Sequence, residues 1–160
     1  MVASKDGLTK GKDSIGVSVV YFCHDGKGSF AMHKRSQKTR DEQGVWDVGG
    51  GALELNETVE ECLRKEVGEE WGAEVLKSEF LGFRDVHRFA SPEPGEGGEQ
   101  GNIPTHWIAL DFKVLVDPAQ IKIGEPNKFD EMGWFKLEDF PVPLHSQLPY
   151  ALQKYKDRLQ

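Results

Sequence analysis

Seven glutamates lie between Gly49 and Gly72, in a stretch that opens with three glycines. Glu66, Glu69 and Glu70 stand at i, i+3 and i+4 and therefore share one face of a helix, a spacing that an ordinary solvated surface also tolerates. The glycines are expected to have no packing role of their own, but they let backbone atoms approach a ligand closely. Backbone oxygens and clustered carboxylates are the donors that Mg²⁺ and Mn²⁺ prefer. The stretch is therefore interpreted as a strand, a glycine loop and an acidic, metal-binding helix.

The helix that carries these carboxylates has clear limits in the sequence. Thr58 and Glu61 have the spacing of a capping box, which predicts a start at Val59. Gly72 is placed to adopt the left-handed conformation that ends a helix, so the predicted helix is Val59–Trp71. Apolar residues recur every four positions and give it a stripe that faces the core, formed by Val59, Leu63, Val67 and Trp71.

This stretch resembles the signature box of the Nudix hydrolases: Gly, five residues, Glu, seven residues, then Arg-Glu-apolar-any-Glu-Glu-any-Gly-apolar. Here the box runs from Gly51 through Glu57 to Ala73, and the flanking segments extend the resemblance over most of the chain. The box departs from the family at Lys65, which keeps the charge of the usual Arg but loses its planar fork. Asn56 stands where relatives often have Gly, and Asn accepts left-handed geometry.

The resemblance implies a role for each matching residue. Glu66 would bind metal or activate water, Lys65 would orient Glu66, and Glu57 would support the ion shell or the helix. Gly51 would lie against the substrate. The implied cofactor is Mg²⁺ or Mn²⁺, and its implied ligands are Gly50 through its carbonyl, Glu66, Glu69 and Glu70. Such an ion neutralises phosphate oxygens and lowers the pKa of bound water.

Relatives often supply one more acidic ligand from outside the box. Glu131 is the candidate here, because it precedes a strand as the "DEM" segment does in the branch of the family that cleaves oxidised nucleotides. Asp130 and Glu125 are rivals, and an acid on a solvated loop is an equal alternative. These alternatives stay open at the level of the sequence.

Three arginines are candidates for binding substrate phosphates. For Arg35 and Arg40 the alternative is ordinary surface charge. Arg84 is expected to share one strand face with Arg88, and a structural ion pair with Asp85 is the alternative. Four aromatic residues are candidates for stacking on a base, with a place in the core as the alternative: Trp46, Phe83, Trp107 and Trp134.

The elements around the box predict an α/β (α+β) fold. Residues 105–116 alternate apolar and polar side chains and form the clearest strand, while residues 90–104 are rich in Gly, Pro and Glu and indicate a loop. The resemblance implies a Nudix-type α/β/α sandwich, in which a mixed sheet is covered by the box helix Val59–Trp71 and a C-terminal helix. The predicted organisation is a flexible leader, residues 1–13, followed by one domain, residues 14–160.

Composition restricts the class of protein. With 160 residues, 38% of them apolar, the chain suits a single globular domain. Its net charge of −7 argues against binding a nucleic-acid polymer, and its apolar runs are too short to span a membrane. Cys23 and Cys62 are expected to be reduced and packed, which favours a cytoplasmic location.

The expected activity is metal-dependent hydrolysis of a diphosphate linkage in a nucleoside diphosphate joined to another group. Substrates could be (deoxy)nucleoside triphosphates, including oxidised ones, which the "DEM" resemblance favours, or ADP-ribose and other nucleotide sugars. Isopentenyl diphosphate isomerases are an alternative, but they need a cysteine shortly after the tryptophan, and the segment after Trp46 has none. A nucleotide-binding module without catalysis is a third hypothesis, motivated by Lys65. Whether the protein forms a homodimer is left open.

Overall fold

The described part of the chain, residues 7–88 and 104–160 of a computed structural model, forms one mixed seven-stranded sheet. Its strands are β1 (Gly16–His24), β2 (Ser29–Arg35), β3 (Trp46–Asp47), β4 (Gly49–Ala52), β5 (Lys77–Arg88), β6 (Thr105–Leu115) and β7 (Phe129–Lys136). The helices are α1 (Val59–Trp71), α2 (Leu148–Lys154) and α3 (Lys156–Leu159), with a 3-10 turn at Leu137–Asp139. None of the described helices is long and apolar enough to cross a membrane.

Strand β1 lies at the centre of the sheet. It runs parallel to β6 along its whole length, and β5 pairs with the other side of β6. Strands β1 and β2 pair next to the turn that joins them, where His24 faces Phe30, but the strands then separate. They separate because β4 pairs with β1 from Ser18 to Tyr21, while β2 pairs with β3 and β7.

Helices cover both faces of the sheet, which confirms the predicted sandwich. Helix α1 packs on one face, where the cluster contains Val19, Tyr21, Cys23, Cys62, Leu63, Val67, Trp71 and Val114. Helices α2 and α3 pack on the other face, where the cluster contains Phe22, Phe30, Met32, Leu148, Ala151, Tyr155 and Leu159. Both cysteines are free and buried, as the sequence predicts.

The predicted limits of the box helix are confirmed. The Thr58 side chain accepts from the amide of Glu61, whose carboxylate accepts from the amide of Thr58. Gly72 ends the helix with φ 65°, and Asn56 has φ 67°, the left-handed geometry expected of it. The predicted glycine loop is wrong, because the glycines form strand β4 against β1.

The predicted C-terminal helix is divided into α2 and α3. Tyr155, at φ −107°, separates the two short helices. Its hydroxyl donates to Asp111 of β6 at 2.6 Å, so this residue anchors the C-terminal segment to the sheet.

The N-terminal residues of the described part are hydrogen-bonded. The amide of His106 donates to the carbonyl of Gly11, and Lys10 donates to the carbonyl of Leu53. Residues 7–13, which the sequence analysis assigns to the leader, thus contact the sheet and the box. Residues 1–6 of that leader and residues 89–103, which include nearly all of the predicted loop, lie outside the described residues.

Candidate active site

The glycines of β4 leave room for two side chains of the site. A Cβ atom on Gly49 would lie 1.9 Å from the ring of Tyr21, and one on Gly51 would lie 2.1 Å from the carboxyl carbon of Glu66. Real Cβ atoms do not come so close to another heavy atom, so Gly49 leaves no room for a side chain beside the buried Tyr21 ring, whereas a Cβ at Gly51 would force the flexible Glu66 carboxylate to move. The expectation that the glycines have no packing role is therefore wrong.

Glu70 is the most deeply buried carboxylate of α1, with 5% of its surface exposed. Its Oε2 accepts from the hydroxyl of Tyr21 at 2.8 Å and from the amide of Gly50 at 3.3 Å. Burial raises the pKa of Glu70 well above its usual range; the Tyr21 hydrogen bond opposes this, and the charge of Glu66 adds to it. A buried acid with neutral partners gains when a cation is bound beside it.

Lys65 lies between two carboxylates of the box. Lys65 Nζ is 2.7 Å from Glu57 Oε1 and 3.7 Å from Glu66 Oε1, so it joins the two carboxylates. Burial raises the pKa of Glu66, the charge of Glu69 raises it further, and Lys65 opposes the rise. The hydrogen bond from Lys65 lowers the pKa of Glu57.

The three box carboxylates share one end of α1 without converging on one point. Glu69 is exposed, Glu66 partly buried and Glu70 buried. Their oxygens do not form a set lying within 4.8 Å of one another; the described residues contain one set of that kind, on β5 and β6. Side-chain rotation of Glu66 and Glu69 is therefore needed before the three could bind the same ion.

A cavity of about 520 Å³ opens beside this helix end. Its wall includes the β4 glycines and the carboxylate of Glu70. Cationic side chains also line it: Lys10, Lys12, Arg35, Arg40, Arg84 and Arg88. A concave site with a buried acid and several cations suits a ligand that carries phosphates.

Arg84 lies in the cavity wall, but its guanidinium is paired with Asp111. Its Nε and Nη2 donate to the two carboxylate oxygens of Asp111, each at 2.7 Å, and both side chains are buried. The alternative partner Asp85 instead contacts His106 at 3.0 Å. Arg84 is thus part of a buried ion pair within the sheet.

The other two predicted arginines differ in their partners. Arg35 donates to Asp41 Oδ1 at 2.9 Å and lies 3.7 Å from Asp47 Oδ2. Arg40 is exposed at the cavity, and Lys12 is partly exposed there. Neither Arg40 nor Lys12 has an acidic partner within 4.0 Å among residues 7–88 and 104–160, so both keep their charge available for a ligand.

A network at the cavity rim was not found from the sequence. His145 Nε2 lies 2.7 Å from Glu42 Oε2, and Arg88 Nη2 contacts the same oxygen at 2.8 Å. Burial tends to raise the pKa of Glu42, but hydrogen bonds from His145 and the Ser146 amide outweigh it and lower the pKa to about 2. Glu42 has φ 46°, and neither this geometry nor a contact across 103 positions leaves a signal in the local sequence.

The candidate acids outside the box have different surroundings. Glu131 lies on β7, is exposed, and pairs with Lys34 of β2 at 3.4 Å. The charge of Glu125 contributes to the raised pKa of Glu66. Glu125 itself is paired with Lys128, whose Nζ lies 2.9 Å from its Oε2. The backbone just before Glu125 also contacts the end of α1, because the amide of Gly124 donates to the carbonyl of Glu70 at 2.8 Å.

Of the four aromatic candidates for base stacking, Trp107 lines the cavity. Trp46 packs edge-on against Phe135, and Trp134 packs against the α1-side core. Phe83 is 54% exposed with Lys154 over its ring. A Cβ atom on Gly16 would lie 2.4 Å from the indole of Trp107. The ring can therefore pack over residue 16 because that residue is glycine.

The sandwich fold and a glutamate-rich helix packed on a glycine strand define a Nudix-type domain. The family model described as "NUDIX domain" matches residues 14–155. The chain belongs to the Nudix family.

The chain is similar to known members in both sequence and structure. It is 32% identical to the nucleoside triphosphatase NudI of Escherichia coli strain K12 over 123 residues, which are 73% of this chain and 80% of that protein. The crystal structure of a MutT NUDIX hydrolase from Burkholderia pseudomallei superimposes with a TM-score of 0.70 at 25% identity, covering 88% of this chain and 98% of that one. The NUDIX domain of Shewanella oneidensis NrtR, solved with ADP ribose, shares the fold with a TM-score of 0.66 at 16% identity, covering 98% and 94% of the two chains.

The family and these relatives identify the protein as a hydrolase of the pyrophosphatase class. This assignment agrees with the intact glutamates of the box.

Proposed function

We propose that the protein is a metal-dependent pyrophosphohydrolase that cleaves (deoxy)nucleoside triphosphates, including oxidised ones. The observation that carries the proposal is Glu70, a buried carboxylate with a raised pKa in the wall of the cavity. Folding around such a group costs free energy that a divalent cation at the same place would offset. The cationic rim on the same cavity supplies partners for phosphate oxygens.

The proposed ligands fit Mg²⁺ or Mn²⁺, because all of their donor atoms are oxygens. Glu66, Glu69, Glu70 and the carbonyl of Gly50 would hold the ion. When bound, it supplies charge neutralisation at phosphate and lowers the pKa of water. Glu66 is the proposed general base, because burial and the charge of Glu69 raise its pKa, which makes it a stronger proton acceptor than an ordinary carboxylate. Lys65 positions Glu66 and Glu57.

Glu125 is the proposed acidic ligand from outside the box. Its charge influences Glu66, and its neighbour Gly124 is hydrogen-bonded to the end of α1. Glu131, favoured by the sequence resemblance, is the alternative ligand, but its carboxylate is paired with Lys34 of the neighbouring strand β2.

The relative and the cavity together support the proposed substrate class. NudI is named a nucleoside triphosphatase, and a volume of about 520 Å³ accommodates one nucleotide. We place the base against Trp107 and the phosphates near Lys12 and Arg40, the two cavity-lining cations for which the described residues supply no acidic partner. ADP-ribose and other nucleotide sugars are the alternative substrates. A cytoplasmic location agrees with the two free cysteines.

A substrate panel tests the proposal. Release of phosphate, pyrophosphate and nucleoside monophosphate is measured for nucleoside triphosphates, oxidised triphosphates, ADP-ribose and nucleotide sugars, with Mg²⁺, Mn²⁺ or a chelator. We expect metal-dependent turnover of triphosphates, lost in Glu69→Gln and Glu70→Gln. Nucleotide binding without turnover in any metal would instead favour a binding module.

A matched pair of variants identifies the acidic metal ligand from outside the box. Glu125→Gln is expected to raise the metal concentration needed for half-maximal activity by about tenfold or more. Glu131→Gln makes the same chemical change at an exposed position and is expected to leave that concentration unchanged. The reverse result would assign the role to Glu131.

A further inference from the structure

A second cluster of metal-ligating side chains lies on the β5–β6 strand pair. It consists of Asp85, His87 and His106, each of which offers a ligand atom within 4.8 Å of those of the other two. Within the described residues no other set of histidines, cysteines and carboxylates meets this condition. None of the three belongs to the Nudix box or lines the larger cavity.

The sheet register brings the three side chains together. Asp85 and His87 are two positions apart on β5 and therefore point to the same face. His106 pairs directly with His87 across the strands. Their rings stack with centroids 4.1 Å apart and an interplanar angle of 26°, and His106 Nε2 lies 3.0 Å from Asp85 Oδ1.

This face is separate from the proposed active site. Arg84 and Arg88, which alternate with Asp85 and His87 along β5, line the larger cavity. The cluster is therefore on the opposite face of the same strands. His87 and His106 also line a second, smaller cavity of about 370 Å³, beside residues 11–15.

We propose that Asp85, His87 and His106 form a binding site for a transition-metal ion such as Zn²⁺. Two imidazoles and one carboxylate are ligands that Zn²⁺ prefers, whereas Mg²⁺ selects oxygen donors. Three protein ligands leave a coordination position for water, which an exposed site provides.

The geometry requires a small adjustment of the side chains. Neighbouring ligand atoms in a tetrahedral zinc site are about 3.3 Å apart, which follows from metal–ligand bonds of about 2.0–2.2 Å. Asp85 and His87 are exposed and His106 is partly exposed, so rotation about their side-chain bonds can close the remaining distance. The paired backbone of β5 and β6 already fixes the three Cα positions.

Zinc titration separates this site from the box. Binding of Zn²⁺ is measured calorimetrically in excess Mg²⁺, in a Glu69→Gln/Glu70→Gln background that removes box ligands, so the result does not depend on the proposed activity. We expect one equivalent of Zn²⁺ to bind. Asp85→Asn, His87→Gln and His106→Gln are each expected to weaken its affinity by about tenfold or more.

A matched control changes a histidine elsewhere. His24 pairs with Leu115, nine positions along β6 from His106, which corresponds to about 30 Å. His24→Gln is expected to leave zinc binding unchanged. The imidazole NMR signals of His87 and His106 should also shift on Zn²⁺ addition to the otherwise unchanged protein, a readout that needs no variant. Absence of binding, or binding that the three variants do not weaken, would overturn the proposal.

Discussion

The hydroxyl of Tyr21 donates to the carboxylate of Glu70 at 2.8 Å in the interior of the protein. Burial raises the pKa of Tyr21 and of Glu70 well above their usual ranges, and the charge of Glu70 contributes to the shift of Tyr21. The carboxylate also accepts from the amide of Gly50 but is not neutralised by either partner. The site therefore contains a charge that costs stability and is available to a cation.

Replacing Glu70 with glutamine should stabilise the protein while abolishing its activity. Because the folded-state pKa is raised, folded protein binds the proton more tightly, and stability is lost as pH rises through the window above the ordinary value of 4.5. The neutral amide avoids that loss, so we expect Glu70→Gln to raise the free energy of unfolding by about 1–2 kcal/mol at pH 8 in chelator. Urea unfolding at pH 5 and pH 8 measures the effect.

Glu69→Gln is the control for this experiment, because Glu69 is exposed on the same helix. It should change the free energy of unfolding by less than about 0.5 kcal/mol and still abolish metal-dependent turnover. A Glu70→Gln protein that is less stable than wild type at pH 8 would show that the carboxylate is well satisfied without a cation.

Two glycines of β4 should respond differently to alanine. Gly51→Ala would push its Cβ into the carboxylate of Glu66, which can rotate away, so we expect lost turnover with nearly unchanged stability. Gly49→Ala would push its Cβ into the fully buried ring of Tyr21 and should lower the free energy of unfolding by about 2–3 kcal/mol. Thermal unfolding and turnover of the two variants measure both effects; equal stability losses would contradict the assignment.

Lys65 should act as a positioning residue for Glu66. It opposes the rise in the pKa of Glu66, so Lys65→Met should move the acidic limb of the pH–kcat/KM profile to higher pH. Lys65→Arg keeps the charge and adds a planar fork, so its limb should stay in place. An unshifted limb in the methionine variant would exclude this role for Lys65.

The stabilisation that Glu42 contributes to the folded protein should be lost at acid pH. Its pKa is lowered to about 2, so its contribution is present above the unfolded value of 4.5 and is lost as pH falls through 4.5 towards 2. After allowance for solvent screening, we expect Glu42→Gln to lower the free energy of unfolding by about 1–2 kcal/mol at pH 6. The difference from wild type should disappear near pH 2; a difference that persists there would mean that shape, not charge, carries the effect.

Much of the fold is predictable because it depends on local patterns. The capping box, the spacing of Leu63, Val67 and Trp71, and Gly72 as terminator together determine α1, and all are confirmed. The glycine strand was missed because glycine carries no side chain whose alternation could indicate β structure. In the folded sheet Gly49 pairs with Tyr21 of β1, whose ring occupies the space that a side chain at position 49 would need. This contact cannot be identified from the local sequence.

The candidate site was less predictable where it depends on long-range register. The sequence identifies the box glutamates through fixed spacing, but it does not indicate which arginine meets which acid. Arg84 faces Ala109 and reaches Asp111 diagonally across β5 and β6, and this follows only from the register of those strands. Asp111 occupies a polar position in the alternation of β6, where a solvated charge is expected, so the local sequence gives no signal that it is buried.

The buried ion pair with Asp111 indicates that Arg84 has a structural role, whereas the exposed Arg40 is a candidate for binding substrate. Arg84→Lys loses one of two short contacts and leaves Asp111 partly unpaired, so we expect the free energy of unfolding to fall by about 2–3 kcal/mol with KM changed by less than about threefold. Arg40→Ala, at the exposed rim, should raise KM for a triphosphate by about tenfold and leave stability unchanged. Urea unfolding and steady-state kinetics on both variants distinguish the roles. If Arg84→Lys instead raised KM without loss of stability, the guanidinium would have to leave Asp111 and contact phosphate when substrate binds.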